Sequence, residues 1–467
     1  FISPAQHQLH HSAEPKHYDC NFGTWLSIWD RMFGTLQLAE KRPQSFGIKE
    51  ANHTMNLASA WFGPFRSLLP LIALFLSPLA MAEEDDDEYE DANGEIIVYG
   101  ENEQVKEAGS AHQVSEEILE LFEWDDIEKI VLTIPGVSTR GEDGFGLRPN
   151  IGIRGANSDR SAKITLMEDG ILLSPAPYAA PAAYYFPLST RLTGVEVFKG
   201  ASSTRYGPQT VGGALNVLTR EIPDKKQVKI DLSAGLRNSY KAHAFAGKGN
   251  GSSGYLLEAV RLQSDGFKEL SSGSNTGFYR NEMMFKMAKA SKNQRVQLKL
   301  GVSNEQSNET YLGLTEADWA ENPWQRYAAS EMGLMDWTRT QAHLEWKLAS
   351  KQDWFWRTVA YHHYLDRSWL KFNGFQDGTN PHQLLLQDPG GTGAVSLSIL
   401  RGEENSISND QNLLIGSNDR RFQNFGVQTV SKKEFFGDAW MNKIELGARL
   451  HVEQVDRVHT EQSYAMI

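Results

Sequence analysis

A regular alternation of apolar and polar residues in the second half of the chain constrains its fold most. In residues 228–237, 296–303 and 444–452, apolar residues hold every second position, with polar residues or glycine between them. This period of two predicts β-strands with one apolar and one polar face. A transmembrane β-barrel has this pattern, and a soluble β-sandwich has it too, so alternation alone leaves both folds open.

Composition excludes several classes of protein. The 467 residues carry a net charge of −13, which argues against nucleic acid as a partner. The sequence has no apolar run long enough for a membrane-spanning helix, so a helical membrane bundle is excluded. The only cysteine is Cys20, so the part of the chain that follows has no disulfide.

Residues 67–82 have the features of a secretory signal, although they lie inside the chain. The apolar core Leu68–Leu79 is shorter than the roughly 18–20 residues that span a bilayer, and it ends in the small-x-small site Ala80-Met81-Ala82. A buried helix is the alternative, but its prolines disfavour it. We therefore expect cleavage after Ala82, a possible natural start at Met55, and two joined coding units in this sequence.

The region before the signal contains a histidine cluster with H-x-x-H-H spacing. Its members are His7, His10 and His11. On a helix they share a face, and clustered imidazoles suit iron or zinc, although surface histidine clusters are also common. With Asp19–Gly23 and Trp29–Thr35, residues 1–66 resemble the C-terminal end of the fatty acid hydroxylase/sterol desaturase family. The resemblance implies a short helical remnant of a di-iron enzyme. Because three ligands cannot hold two irons, we expect it to be inactive.

An acidic stretch and a β-prone segment follow the signal, within residues 83–104. Residues 83–94 are almost wholly acidic and predict a disordered linker. The next segment can add to the edge of a partner's sheet, or it can be an ordinary first strand. This segment consists of Glu95, Ile96, Ile97, Val98, Tyr99 and Gly100.

Residues 105–223 predict an α+β domain. Ser115 precedes a short apolar-periodic segment and suggests a capped helix. Glycine- and proline-rich turns separate short β-prone segments. We predict strands at Ile151–Arg154, Ala162–Met167, Gly194–Lys199 and Gly213–Thr219.

Five ordered motifs in this domain resemble the plug domain of TonB-dependent outer-membrane receptors. The motifs are Ile134–Val137, Ile153–Gly155, Leu166–Ile171, Val195–Ser203 and Arg205–Asn216. Their motif residues are Arg154, Gly155, Asp169, Gly170, Glu196, Lys199, Gly200, Arg205, Tyr206, Gly207, Gly212, Gly213 and Asn216. Of the charged ones, Arg154, Glu196, Lys199 and Arg205 are predicted partners for charges on an inner barrel wall. Routine surface charges are the alternative.

The resemblance implies an α+β plug inside a transmembrane antiparallel β-barrel in the bacterial outer membrane. Residues 224–467 supply about ten strands, whereas plugged transporter barrels have about 22. An open sheet edge in lipid leaves backbone groups unpaired, so this chain alone is not expected to form a working transporter. Residues 95–100 become a TonB box, on which TonB, with its inner-membrane energising complex, pulls. The receptor needs no cofactor of its own, and outer-membrane lipid surrounds it.

Two further segments point to a ligand. Asn308–Thr315 through Arg326–Ser330, and also Ala176–Pro181, are similar to the ferric-citrate receptor branch, which implies active import of a citrate-type ferric chelate. Arg140, Arg148 and Tyr178 lie in segments placed at the plug apex, and we predict them as ligand contacts. A cationic pair there attracts an anionic iron complex. The alternatives are an iron-dependent lipid hydroxylase, for the N-terminal unit only, and a soluble periplasmic binding module.

Overall fold

The computed structural model describes residues 31, 36–37, 110–350, 354–386, 392–437 and 440–467. The chain divides into two units, Phe1–Ala82 and Glu83–Ile467, and the elements below all belong to the second. The predicted histidine cluster, signal and TonB box lie outside the described residues. Within the described ranges, no helix combines the length and the apolar character needed to cross a membrane.

The first part of the second unit, here the inner domain, is a small α+β structure. Its helices are α1 (Glu116–Phe122) and α2 (Ile127–Val131). Its strands are β1 (Ser110–Val114), β2 (Val137–Thr139), β3 (Ile151–Ile153), β4 (Ile164–Glu168), β5 (Ile171–Leu172), β6 (Leu192–Lys199) and β7 (Gly213–Thr219). The four strands predicted from sequence agree with β3, β4, β6 and β7 to within two residues.

Five of these strands form one mixed sheet in the order β1-β6-β7-β4-β5, with β4 and β7 parallel. Strands β2 and β3 form a separate antiparallel pair. Ser115 stands at the N-cap of α1 as predicted, but its side chain makes no capping hydrogen bond. Asp126 does cap α2, because its carboxylate accepts a hydrogen bond from the Glu128 N–H at 2.8 Å.

The rest of the unit is one antiparallel sheet of nine strands, here the wall. The strands are β8 (Gln227–Gly235), β9 (Ser239–Gly249), β10 (Ser253–Ser264), β12 (Phe278–Ser291), β13 (Gln294–Asn308), β15 (Leu334–Ala349), β16 (Trp354–Phe375), β17 (Leu413–Gly437) and β18 (Trp440–Tyr464). Each strand pairs with the next in chain order, and β8 and β18 are the two edges. The sequence predicted about ten strands, and the barrel is not closed in this structure.

The wall has two different ends. Connections such as 250–252 and 292–293 are short, whereas 265–277, 309–333 and 376–412 are long and define the loop end. The long connections contain β11 (Glu269–Leu270), α3 (Glu316–Glu321), β14 (Gln325–Arg326), α4 (Pro381–Leu386) and α5 (Thr392–Arg401). Two of these loops are joined where Arg401 donates two hydrogen bonds from one nitrogen to the Asp318 carboxylate, at 2.6 and 2.8 Å.

The wall turns its polar face towards the inner domain. On β13, Lys299, Ser303 and Glu305 are buried, while Leu300 and Val302 between them are half-buried. A soluble sandwich buries its apolar face instead, so that alternative is wrong. The inner domain and the wall nevertheless share apolar contacts at the loop end. The buried cluster that contains the inner-domain sheet also includes Trp337, Trp369 and Phe422 of the wall.

Candidate functional site

A tight turn at Asp169-Gly170 brings the inner domain to the wall. Asp169 has φ 51° and Gly170 has φ 77°, and they connect β4 to β5 as a two-residue hairpin turn. Asp-Gly favours this geometry because both positions need positive φ. The Asp169 carboxylate accepts hydrogen bonds from the Thr219 N–H at 2.9 Å and the Thr219 hydroxyl at 2.6 Å. The turn is therefore fixed to the end of β7.

The wall meets this turn with a buried lysine. Lys299 Nζ of β13 lies 2.5 Å from Glu168 Oε1 and 2.6 Å from Asp169 Oδ2. Arg191 of the inner domain pairs with the other Glu168 oxygen at 2.7 Å. Burial alone would raise the pKa of Glu168, but Arg191 and Lys299 outweigh it and hold that pKa well below its usual value. Glu168 is therefore a carboxylate anion shared between the two parts of the fold.

The ion pairs continue from Arg191 towards the loop end. Arg191 pairs with Glu282 of β12, which pairs with Arg280 of the same strand at 2.5 Å. Arg280 lies 3.4 Å from Glu305 of β13. The guanidinium of Arg148, from the inner domain, lies 2.7 Å from Glu305 and 3.0 Å from Glu309. The side chains in this series are all buried, so the inner domain and the wall are joined by ion pairs that are shielded from water.

Comparison with known proteins identifies the inner domain. Residues 103–214 match the model of the TonB-dependent Receptor Plug Domain family. The inner domain is a TonB-dependent receptor plug domain. The plug domain and the wall together are similar in fold to the ferric citrate transporter FecA in its unliganded form, with a TM-score of 0.59 and 19% identity. That likeness covers 76% of this chain and 49% of FecA.

Other relatives bind different ligands. The fold is also similar to the ferric yersiniabactin uptake receptor FyuA from Yersinia pestis, with a TM-score of 0.55, 16% identity and coverage of 75% and 50% of the two chains. By sequence, the chain is 23% identical over 201 residues to the vitamin B12 transporter BtuB of Photobacterium profundum, covering 42% of this chain and 32% of BtuB. The chain thus spans about half of these solved structures and a third of that relative. These relatives are named as transporters or receptors, and none as an enzyme.

The plug motif residues hold the domain together more than they reach outward. Gly213 has φ 142°, and a Cβ there would lie 2.5 Å from the Phe198 carbonyl oxygen, so only glycine fits beside β6. A Cβ on Gly200 would lie 2.8 Å from an Arg154 guanidinium nitrogen. These glycines therefore permit close contacts inside the plug domain.

The four charges predicted to face the wall divide between two roles. Arg205 reaches the wall, 3.9 Å from Glu445 of β18. Lys199 instead donates to the Pro135 carbonyl at 2.7 Å, inside the plug domain, which corrects its predicted role. Glu196 accepts a hydrogen bond from the Asn216 side-chain amide at 2.8 Å in the same domain. Arg154 lies over Gly200 of the plug domain.

Glu168 and Arg191 were not predicted from sequence as partners of the wall. The polar residues at the inward positions of β12 and β13 nevertheless indicated that such partners exist.

The three predicted ligand contacts occupy different environments. Arg148 is 2% exposed and paired with two wall carboxylates, so it is structural in this conformation, and the expectation that it lies open to a ligand is corrected. Arg140 is exposed and pairs with Asp159 at 2.8 Å. Tyr178 is half-exposed, and its backbone N–H donates to Glu453 of β18 at 2.7 Å. The Ala179 N–H donates to the other Glu453 oxygen at 2.9 Å.

Within the described residues, no group of three or more histidine, cysteine, aspartate or glutamate side chains is arranged to hold a metal ion. His7, His10 and His11 lie outside that part of the chain, so their place in a di-iron remnant stays a prediction.

Proposed function

We propose that the chain is the plug and part of the barrel of a TonB-dependent receptor, which imports a ferric chelate across the bacterial outer membrane. The observation that carries this proposal is the plug domain ion-paired to the polar face of the wall through Glu168, Asp169 and Lys299. A sheet with its apolar side outward and its charged side against a plug suits lipid outside and a filled lumen inside.

Such a plug needs work to move. Breaking a buried ion pair by separating its partners costs several kcal/mol, because each charge is left without water or a counterion. Several such pairs join the plug domain to the wall, so thermal motion alone does not separate the plug domain from the wall. TonB, energised from the inner membrane, supplies the work by adding a strand to Glu95–Gly100 and pulling. In this proposal the chain reaches the outer membrane after signal cleavage near Ala82 and is not an enzyme.

For the ligand we propose a citrate-type ferric chelate. The similarity of Ala176–Pro181 to the ferric-citrate branch supports it, and Tyr178 in that segment is half-exposed. A cobalamin is the second candidate, because sequence relatives are named as vitamin B12 transporters. Arg140 and Tyr178 remain proposed ligand contacts. For residues 1–66, the inactive hydroxylase remnant stays a proposal, with a working hydroxylase as the alternative for that unit alone.

The proposal is tested by uptake in bacteria that lack their own ferric-citrate and cobalamin receptors. We expect cells that express the complete receptor gene, of which this sequence supplies the plug and part of the barrel, to accumulate radiolabelled ferric citrate. Ile97→Pro in that receptor should abolish uptake, because proline removes a backbone donor from the added strand. Asp91→Pro in the acidic linker is the matched control and should leave uptake intact. Uptake of cobalamin instead would select the second ligand. Equal uptake with and without Ile97→Pro would refute TonB dependence.

A further inference from the structure

Four cationic side chains lie close together at the loop end, between the plug domain and the wall. They are Arg160 of the plug domain, Arg367 and Lys371 of β16, and Arg420 of β17, here the cationic cluster. Two aromatic rings lie among them. Arg367 Cζ is 4.2 Å and Arg420 Cζ 5.9 Å from the centroid of the Tyr184 ring. Lys371 Nζ is 4.8 Å and Arg160 Cζ 5.7 Å from that of Trp369.

Within the described ranges, carboxylates balance only part of the positive charge of this cluster. Arg160 pairs with Glu142 at 2.5 Å. Among the residues that the structure describes, Arg367, Lys371 and Arg420 form no ion pair with a carboxylate. Arg367 donates to the backbone and side-chain oxygens of Asn418 at 3.1 and 3.0 Å, and Arg420 donates to the same side chain at 2.8 Å. The neutral side chain of Asn418 therefore accepts hydrogen bonds from both guanidinium groups.

Arg367 is the decisive member of the cluster. It is 0% exposed and its guanidinium lies against the Tyr184 ring, yet its Nε and Nη1 atoms have no hydrogen-bond partner among the described residues. In the same part of the chain, Arg160 Nη1 and Trp369 Nε1 are also buried without a partner. All four atoms are donors, so the site lacks acceptors in particular. Burying a guanidinium without a counterion costs free energy of folding. Two oxygens of one carboxylate or phosphate can accept hydrogen bonds from two N–H groups of the guanidinium fork at once.

Lys371 is the member of the cluster that borders a cleft at the loop end. The cleft has a volume of about 70 Å³, and its lining also includes Glu309, Tyr311 and His382. Tyr311 is 47% exposed, so the cleft borders solvent at the loop end.

We propose that the cationic cluster binds an oxyanion group, a carboxylate or a phosphate, of a ligand that enters from the loop end. This inference rests on the proposed function, because it names the chemistry by which the imported ligand is recognised. Arg367 holds the anion through its fork, and Trp369 adds a donor from the side. Lys371 and Arg420 attract the ligand and complete its charge balance.

Calorimetric titration of the purified chain in detergent tests this, with sodium citrate, ferric citrate and inorganic phosphate as probes. Lys371→Gln and Arg420→Gln should each weaken binding about tenfold, because each removes a charged group that attracts the anion. Arg421→Gln is the matched control, because Arg421 is the next residue along β17 and pairs with Asp366 on the opposite face. It changes the net charge equally and should bind as the parent does.

The titrations distinguish a carboxylate ligand from a phosphate ligand. Binding of citrate or its ferric complex indicates a carboxylate ligand, and binding of phosphate alone indicates a phosphate-bearing one. Arg367→Lys keeps the charge and loses the fork, so it should weaken citrate more than phosphate; if it does not fold, the two Gln variants decide. No binding of any probe, or equal binding by Arg420→Gln and Arg421→Gln, overturns the proposal. That result together with loss of uptake in Ile97→Pro would leave the proposed import standing.

Discussion

Lys299 Nζ lies 2.6 Å from Asp169 Oδ2, so a strand of the wall is ion-paired to the tight turn of the plug domain. The same nitrogen also bonds Glu168, and all three groups are largely withdrawn from water. A single wall side chain thus forms ion pairs with two adjacent plug carboxylates. The stability of the plug–wall contact should depend on it strongly.

Replacing this lysine tests that dependence. We expect Lys299→Met to lower the free energy of unfolding by about 3–5 kcal/mol, because it removes the cation paired with Asp169 and leaves Glu168 with Arg191 alone. Denaturant unfolding of the purified chain in detergent measures the change. Lys289→Met is the control, because Lys289 is exposed near the end of β12. Equal unfolding midpoints for the two variants would contradict a structural role for the pair.

The plug domain should also respond to pH through Glu128. Burial is the main reason that the pKa of this carboxyl is raised from 4.5 to about 7. The folded state then holds a proton that the unfolded state releases, so stability falls as pH rises from about 4.5 to about 7. Glu128→Gln should flatten this slope. Unfolding curves of parent and variant across that range check it, and parallel slopes would argue against the raised pKa.

The Asp169-Gly170 turn predicts a backbone effect. Gly170→Ala should destabilise the chain by about 1–2 kcal/mol, because φ 77° places a Cβ in the unfavourable left-handed region. Gly447→Ala on β18 is a fair comparison, since its Cβ would meet only ordinary van der Waals contacts. Thermal unfolding of both variants measures the difference. A Gly170→Ala protein as stable as the Gly447→Ala protein would show that the turn has another shape.

The loop end offers a test of local order. Burial would raise the pKa of Asp318, but hydrogen bonds from Tyr327 and Arg401 outweigh it and lower that pKa. The stabilisation is present above the unfolded pKa of about 3.8 and is lost as pH falls through the lower, folded value. Arg401→Gln should therefore speed proteolysis of the 376–412 connection at neutral pH, whereas Glu403→Gln should not. Unchanged cleavage in Arg401→Gln would mean that other contacts hold the loops together.

The strands could be predicted from sequence because alternation and turn residues are local signals. Gly213–Thr219 was predicted with its observed bounds, and the inward polar face of β13 follows directly from its period of two. The Asp169-Gly170 motif likewise specifies its own turn. Each of these features depends on residues that are close together in the chain.

The pairing of charges could not be predicted in the same way. Lys299 and Asp169 are 130 residues apart, so their contact depends on how the plug domain is seated against the wall. Arg148 shows the same limit, because its sequence context reveals a charge and not its burial against Glu305. The cationic cluster combines residues of three elements, and no single segment contains its pattern.

The contact between Glu453 and the plug domain fixes a main chain and leaves the side chains of the same segment unconstrained. The two carboxylate oxygens of Glu453 accept hydrogen bonds from the backbone N–H groups of Tyr178 and Ala179, and one of these oxygens also lies 3.1 Å from His451 Nε2 of the wall. Any residue other than proline supplies a backbone N–H, so these two bonds do not depend on which side chains stand at 178 and 179. The wall can therefore hold this segment in place while the surface that the segment presents is changed by substitution.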